Sequence, residues 1–340
     1  MKHLLIFLTF CLAVSAIPFS LPGPAGGADP FSPYIESFPH GKIDWDKGVI
    51  YGTGKGYLDH NGGSKNKALR AAQTLALQSI LKIAARISVD DRDTIKTLGG
   101  GRFVIHLRAM IRYVEHETRF HEKGTRPYFE VIRRTPIKGV KGLTSEILTR
   151  LKTSPTARNN FPVPNKIAES EEEQEEWLIL DTRNLARKDE IVPALFPKIV
   201  DTAGNLLYDI KQVDESTLRE RGMARYVVSD RPLERLSSKN EEINRITEMV
   251  KKLIFPDVVM AGEKKKKRKK RKRFIVNEVK ATRGLMKTNL VINEKDAKNL
   301  KKKDQSSRIL KKCRVIIVLN APTAGIEGSI ENYRARVLNH

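Results

Sequence analysis

A strand with three alternating glycines stands directly before a long, alanine-rich helix in this sequence. The glycines are Gly52, Gly54 and Gly56. Ser64 is placed to cap the helix, and small or apolar residues then recur at helical spacing from Ala68 to Ile87. A strand with glycines on one face lets another backbone approach closely. The pattern therefore predicts a helix that lies directly on a sheet.

The glycines do not form a nucleotide-binding loop. A phosphate-binding loop of the form Gly-x-x-x-x-Gly-Lys-Ser/Thr would need a glycine where Val49 stands and a hydroxyl where Gly56 stands. No Gly-x-Gly-x-x-Gly sequence opens the helix either. We therefore assign these glycines to packing.

Residues 43–151 are expected to form an α+β domain. It opens with a β-hairpin, because apolar and polar residues alternate on both sides of a turn at residues 46–48. Further along, the pattern predicts helices at residues 103–114 and 143–151 and a strand at residues 128–134. The hairpin and this strand are expected to belong to the small sheet that carries the alanine-rich helix.

Residues 177–320 are expected to form a second, β-rich domain. Its predicted strands are residues 177–181, 224–228, 274–279, 288–292 and 314–319. Residues 241–254 have helical periodicity, and Asn293 is placed to cap a further helix, with Asp296 in its first turn. An extended leader, a proline-rich and acidic linker and a tail complete the predicted organisation, at residues 17–42, 152–176 and 321–340.

The amino terminus has the pattern of a cleavable secretory signal peptide, residues 1–16. Basic residues precede an apolar stretch that ends in small side chains, and cleavage is expected after Ala16 or after Ala28. No second apolar stretch is long enough to span a bilayer. We therefore expect a periplasmic or secreted protein, free or peripheral to a membrane.

Cysteine use agrees with a fold that needs no disulfide. Cys11 lies within the predicted signal peptide, so the processed chain keeps a single thiol, Cys313. An apolar run at residues 315–319 follows Cys313 closely. This context predicts a small buried residue.

The strongest local charge signal is a run of ten basic residues. The run consists of Lys264, Lys265, Lys266, Lys267, Arg268, Lys269, Lys270, Arg271, Lys272 and Arg273. The formal net charge of +23 falls to +13 when these ten are set aside, so the rest of the chain is basic as well. Such a balance favours anionic partners.

The basic run is expected to form a solvated loop, because ten like charges do not pack in a core. Three roles remain open for it. These hypotheses are attraction to anionic lipid, docking against the acidic run at residues 169–176, and a tolerated insertion without a role. Specific nucleic-acid binding is not expected, since the run lacks aromatic residues for base stacking and the chain is predicted to be exported.

No catalytic or metal-binding pattern is present in the sequence. The histidines outside the signal peptide form no set at metal-ligand spacing, and they are His40, His60, His106, His116, His121 and His340. His116 and His121 are expected at the solvated end of a helix. No Gly-x-Ser-x-Gly nucleophile elbow occurs. We therefore predict a protein that is not an enzyme and has no cofactor.

The first domain resembles a known family. Trp45, the glycine strand and the alanine-rich helix are similar to the twenty-kilodalton-lipoprotein-like domain of bacterial envelope proteins, and more distantly to the amino-terminal domain of flagellar assembly protein T. Residues 177–183 and 193–199 resemble carboxy-terminal regions of secreted proteins from Gram-negative bacteria. The resemblance implies an α+β fold, a place in the periplasm or at the outer membrane, and no catalysis. The chain lacks the cysteine-containing lipidation signal of the family.

Together these observations favour a non-enzymatic structural or adaptor component of the envelope that binds other envelope proteins. The alternative is a binding module for anionic lipid, glycan or another polyanion through residues 264–273. A hydrolase whose site is assembled from distant residues is the third hypothesis. Steep salt dependence of binding would favour the polyanion-binding module. A deep pocket with converging polar groups would favour the hydrolase.

Overall fold

The predicted hairpin lies in a five-stranded antiparallel sheet. The structure is a computed structural model, and it describes residues 31–98, 111–124, 126–153, 174–236 and 271–321. Its first six strands are β1 (Ser32–Pro33), β2 (Ile35–Phe38), β3 (Gly41–Asp44), β4 (Val49–Tyr57), β5 (Val114–His121) and β6 (Tyr128–Pro136). All of these strands except β1 form the five-stranded sheet, in the order β2-β3-β4-β6-β5.

The alanine-rich helix α1 (Lys65–Arg86) lies directly on β4, as predicted. Ser64 caps it by accepting a hydrogen bond from the backbone N–H of Lys67. A Cβ atom built on Gly54 would lie 2.1 Å from the carbonyl oxygen of Ala72, and one on Gly56 would lie 2.0 Å from that of Ala68. The close contact between α1 and β4 therefore requires glycine at these positions of β4.

The second half of the chain builds two further sheets. Its strands are β7 (Gln174–Asp181), β8 (Ile199–Asp201), β9 (Leu206–Tyr208), β10 (Arg225–Val228), β11 (Arg271–Glu278), β12 (Ala281–Arg283), β13 (Asn289–Ile292) and β14 (Val315–Leu319). One sheet has the order β1-β10-β14-β7-β11, and the other has the order β12-β13-β8-β9. The four strands from β10 to β11 in the first of these sheets run parallel.

Three further helices accompany these sheets among the described residues. They are α2 (Leu143–Thr153), α3 (Glu215–Arg221) and α4 (Glu294–Ser307). The side chain of Asn293 accepts a hydrogen bond from the backbone N–H of Asp296, which confirms the predicted cap of α4. The α+β fold class is confirmed. No helix in the described ranges has the length and apolar character needed to cross a membrane.

Some elements differ from the sequence prediction. The segment expected to be an extended leader contains β1 and β2, and Phe31 and Tyr34 beside them are buried. Val114, the last residue of the helix predicted at residues 103–114, begins a strand. Short-range periodicity cannot distinguish these cases, because strand pairing depends on partners far along the chain.

The core runs without a break through both halves of the chain. The Trp45 and Tyr226 rings meet edge to face, with centroids 5.4 Å apart. The backbone N–H of Leu195 donates to the carbonyl of Ser88 at 2.9 Å. All described residues lie in one compact unit that begins at Phe31, and a single apolar cluster joins residues of both halves.

Several predictions concern residues outside the described ranges. They are the signal peptide with both cleavage sites and Cys11, the helix at residues 103–110, most of the linker, the helix at residues 241–254, and the tail from residue 322.

Candidate docking face and cationic cleft

One face of the antiparallel sheet is partly exposed to solvent. Side chains alternate across β4 and β6, and the set that points away from α1 is here called the outer face. On β4 and β6 it includes Tyr51, Thr53, Lys55, Tyr57, Tyr128, Glu130, Ile132 and Arg134. None of these side chains is buried, whereas Ile50 and Val131 on the opposite face are fully buried. The side chains of the outer face are therefore at least partly exposed to solvent.

Aromatic rings pair along the outer face. The ring of Tyr128 lies between Tyr57 and His121, with centroid distances of 5.2 Å and 4.5 Å, and it is stacked on the imidazole of His121. At the other end of the face, the Tyr51 and His116 rings are 5.4 Å apart. These ring contacts restrict the orientations of the tyrosine side chains.

Cations accompany the tyrosines. The ammonium of Lys42 lies 5.4 Å from the Tyr51 ring centroid, and that of Lys55 lies 5.2 Å from the Tyr128 centroid. The guanidinium of Arg126 lies 4.9 Å from the centroid of Tyr57. Distances below about 6 Å are typical of cation–π attraction. The outer face therefore combines aromatic area with positive charge.

Arg126 is fixed on its other side by an acid. Its Nε donates to a carboxylate oxygen of Asp59 at 2.8 Å. This hydrogen bond holds the pKa of Asp59 below its usual value. The pair orients the guanidinium over the Tyr57 ring.

The expected positions of His116 and His121 were wrong. Both belong to β5 and not to a helix end, and a register shift between Glu115 and Glu117 marks a bulge at His116. Each ring contacts a tyrosine of the outer face. In the part of the chain that the structure describes, no group of three His, Cys, Asp or Glu residues is placed to hold a metal ion.

The basic run is divided between described and undescribed residues. Residues 264–270 lie outside the described ranges, and Arg271, Lys272 and Arg273 are the first residues of β11. The prediction of a loop is therefore wrong for these three. In the parallel register, Lys272 is opposite Glu175 and Arg273 is opposite Glu176. The ends of the acidic and basic runs thus lie on neighbouring strands, and docking between the remaining residues stays a prediction.

A second candidate site is a cleft of about 370 Å³, here called the cationic cleft. Its lining residues come from turns, from the carboxyl end of α3 and from the amino-terminal halves of parallel strands. They are Asp46, Lys138, Glu175, Trp177, Arg221, Ala224, Arg225 and Cys313. Lys138 donates to the carbonyl oxygens of Trp45 at 3.3 Å and Asp46 at 3.2 Å. Nε of Arg225 donates to the carboxylate of Asp46 at 2.7 Å.

Burial lowers the pKa of Lys138 from 10.5 to about 8, with a contribution from nearby Arg225 and an opposing one from Asp46. A buried ammonium costs stability unless an anion accompanies it. The cationic cleft therefore holds positive charge in a partly desolvated place.

Titration of Lys138 should increase stability with pH. Between pH 8 and pH 10.5 the unfolded chain keeps the proton that the folded chain has lost. The free energy of unfolding therefore rises with pH in this window. The difference in unfolding free energy between the wild type and Lys138→Met, from urea titrations, should increase across it. A difference that does not change with pH would contradict the lowered pKa.

Cys313 is buried at the base of the cleft. Burial raises the pKa of its thiol to about 12, so the thiolate needed for nucleophilic chemistry is not formed at neutral pH. Only 3% of the residue is exposed. The sequence prediction of a small buried residue is confirmed.

Neither site is evident from the sequence patterns. The alternation of Tyr51, Lys55 and Tyr57 along β4 indicates a face with aromatic and basic residues, but the glycines between them indicate only close packing. The cationic cleft has no local signal, because its residues come from five separate segments of the chain.

The described residues define an α+β protein with a partly exposed antiparallel sheet face and a cationic cleft. Residues 177–321 match a family described as the second domain of Treponema pallidum Tp0624. The match covers less than half of the 340 residues, so it describes the second half of the chain and shows its similarity to a bacterial domain. No curated protein matches the sequence.

Proposed function

We propose that the protein is a non-enzymatic adaptor of the bacterial envelope that binds an acidic partner protein through the outer face. The observation that carries this proposal is the row of partly exposed tyrosines with cations over their rings. Tyrosine and arginine are the residue types most enriched where interfaces gain their binding energy.

Rigidity supports the same proposal. Gly52, Gly54 and Gly56 fix β4 against α1, so Tyr51 and Tyr57 on its opposite face lose little conformational freedom when they bind. An acidic partner fits because the three cations over the rings, Lys42, Lys55 and Arg126, outnumber the two carboxylates paired with them. These carboxylates are Glu130, 3.6 Å from Lys55, and Asp59, 2.8 Å from Arg126.

The envelope is the proposed location for two reasons. The amino terminus has the signal-peptide pattern, and the second half is similar to a bacterial domain. The resemblance of residues 43–151 to a lipoprotein-like envelope domain, with flagellar assembly protein T as a distant relative, agrees with this proposal.

A second candidate is a module that binds polyanions through the basic run. The position of Arg271, Lys272 and Arg273 on the edge strand β11 favours it. The register of β11 against β7 places the acidic residues Glu175 and Glu176 opposite Lys272 and Arg273, which disfavours it.

Partner capture separates the two candidates. The double variant Tyr51→Ala, Tyr57→Ala should recover at least about tenfold less of the partner protein from an envelope extract than the wild type, because both ring contacts are removed. Leu75→Ala, an exposed residue of α1, is the matched control and should capture normally.

A variant without residues 264–273 should also capture the same partner. If capture needs that run and recovers lipid, glycan or nucleic acid, the adaptor proposal fails and the polyanion module replaces it. If the double variant captures as much partner protein as the wild type, the outer face is excluded as the docking surface.

A further inference from the structure

The geometry points to a binding site for a phosphate group, carried by a small organic molecule, in the cationic cleft. The site is separate from the outer face, so the inference does not depend on the proposed function. Three cationic side chains line the cleft, and two carboxylates accompany them; these residues are Lys138, Arg221, Arg225, Asp46 and Glu175. The lining therefore has an excess of positive charge.

A fourth cation lies beside the lining. The guanidinium of Arg314, only 7% of which is exposed as a residue, is 3.6 Å from the carboxylate of Glu175. Glu175 is thus shared between Arg314 and Arg221. This carboxylate therefore lies between two guanidinium groups at the wall of the cleft.

Arg221 has the donors that an incoming anion needs. Its closest carboxylate oxygen among the described residues belongs to Glu175, at 4.0 Å, which is beyond hydrogen-bond distance. Its side chain is 47% exposed. The planar fork of an arginine matches the oxygens of a phosphate group.

Lys138 supplies a second donor. Two carbonyl oxygens accept from its ammonium, which has three N–H groups, so one remains for a ligand. Burial makes the charge of Lys138 costly, and nearby Asp46 offsets only part of this cost, as the lowered pKa indicates. A bound anion offsets this cost.

The cleft has room for more than a phosphate ion. A cleft of about 370 Å³ is larger than a single phosphate ion needs and lies in the range of small-molecule sites, about 300–1,000 Å³. The Trp177 side chain forms an apolar part of the lining. An organic group attached to the phosphate would pack there.

Calorimetric titration of the full chain with glycerol 3-phosphate tests the inference. Arg221→Gln should weaken binding about tenfold or more, because a charge-assisted hydrogen bond is lost. Arg187→Gln, an exposed arginine that does not line the cleft, should bind as the wild type does. Both variants keep the basic run, so non-specific attraction to that run is equal in them.

Two further titrations distinguish the source of the phosphate. Inorganic phosphate alone should bind more weakly than the ester, and vesicles that contain phosphatidic acid should show no dependence on Arg221. If binding of the vesicles depends on Arg221 and binding of free glycerol 3-phosphate does not, the phosphate group belongs to a lipid headgroup. A small-molecule ligand is then excluded. Equal binding of the ester by the wild type and Arg221→Gln, or no saturation up to about 10 mM, would overturn the site.

Discussion

Gly54→Ala should destabilise the protein by about 3 kcal/mol or more, at the upper end of the range for overpacked cores. The added Cβ would lie 2.1 Å from the carbonyl oxygen of Ala72 and 2.4 Å from the backbone nitrogen of Ala76. Both are backbone atoms of α1, so no side chain can rotate to relieve the contact. The helix would have to move away from the sheet. Urea unfolding followed by circular dichroism measures this loss.

Gly63→Ala is the matched control for this substitution. Gly63 has a φ of +75°, and an added Cβ would meet no heavy atom within 4 Å. Its replacement therefore costs only backbone strain, about 1–2 kcal/mol. If Gly54→Ala costs no more than Gly63→Ala, close packing of α1 on β4 is not what these glycines provide.

Tyr226→Ala should destabilise the protein by about 3–5 kcal/mol, as expected when a large buried aromatic ring is removed. The ring packs edge to face against Trp45. The hydroxyl donates to the carbonyl of Ala194 and accepts from its N–H, each at 3.0 Å. The residue thus joins three segments that are distant in sequence.

Tyr226→Phe separates the two contributions of this side chain. It keeps the ring and leaves the buried groups of Ala194 without their partner, which costs about 1–3 kcal/mol. Tyr113→Ala, an exposed tyrosine, should have a small effect. The two tryptophans, Trp45 and Trp177, lie in different halves and report unfolding by fluorescence. Separate transitions, with only one shifted by Tyr226→Ala, would contradict the shared core.

The sequence was informative where local rules decide the structure. Alternating glycines predicted the close helix, and Ser64 and Asn293 were correctly identified as helix caps. In each case the interacting groups lie within a few residues, or the missing side chain itself is the signal.

Local rules failed where distant segments decide the outcome. His116 and His121 have helix-compatible neighbours, yet β5 pairs with β6 and places them beside tyrosines. Phe31 and Tyr34 lie in a segment rich in proline and glycine, yet β1 pairs with β10, far along the chain. A short window of sequence does not contain the strand with which its residues pair, so it cannot predict this pairing.

The basic run combines both situations. Its charge predicted exposure, but the register of β11 against β7 places its last residues opposite Glu175 and Glu176. This register joins two segments almost a hundred residues apart, so no short window of the sequence contains it.

Site-specific photocrosslinking tests the docking role of the outer face most directly. A photoreactive residue replaces Thr53 at the centre of the outer face, or Thr74 on the exposed side of α1 as the control, and each protein is irradiated with an envelope extract. The account predicts a discrete, protease-sensitive adduct from position 53 that high salt weakens and that position 74 does not form. No adduct, an equal adduct from both positions, or a protease-resistant one would contradict it.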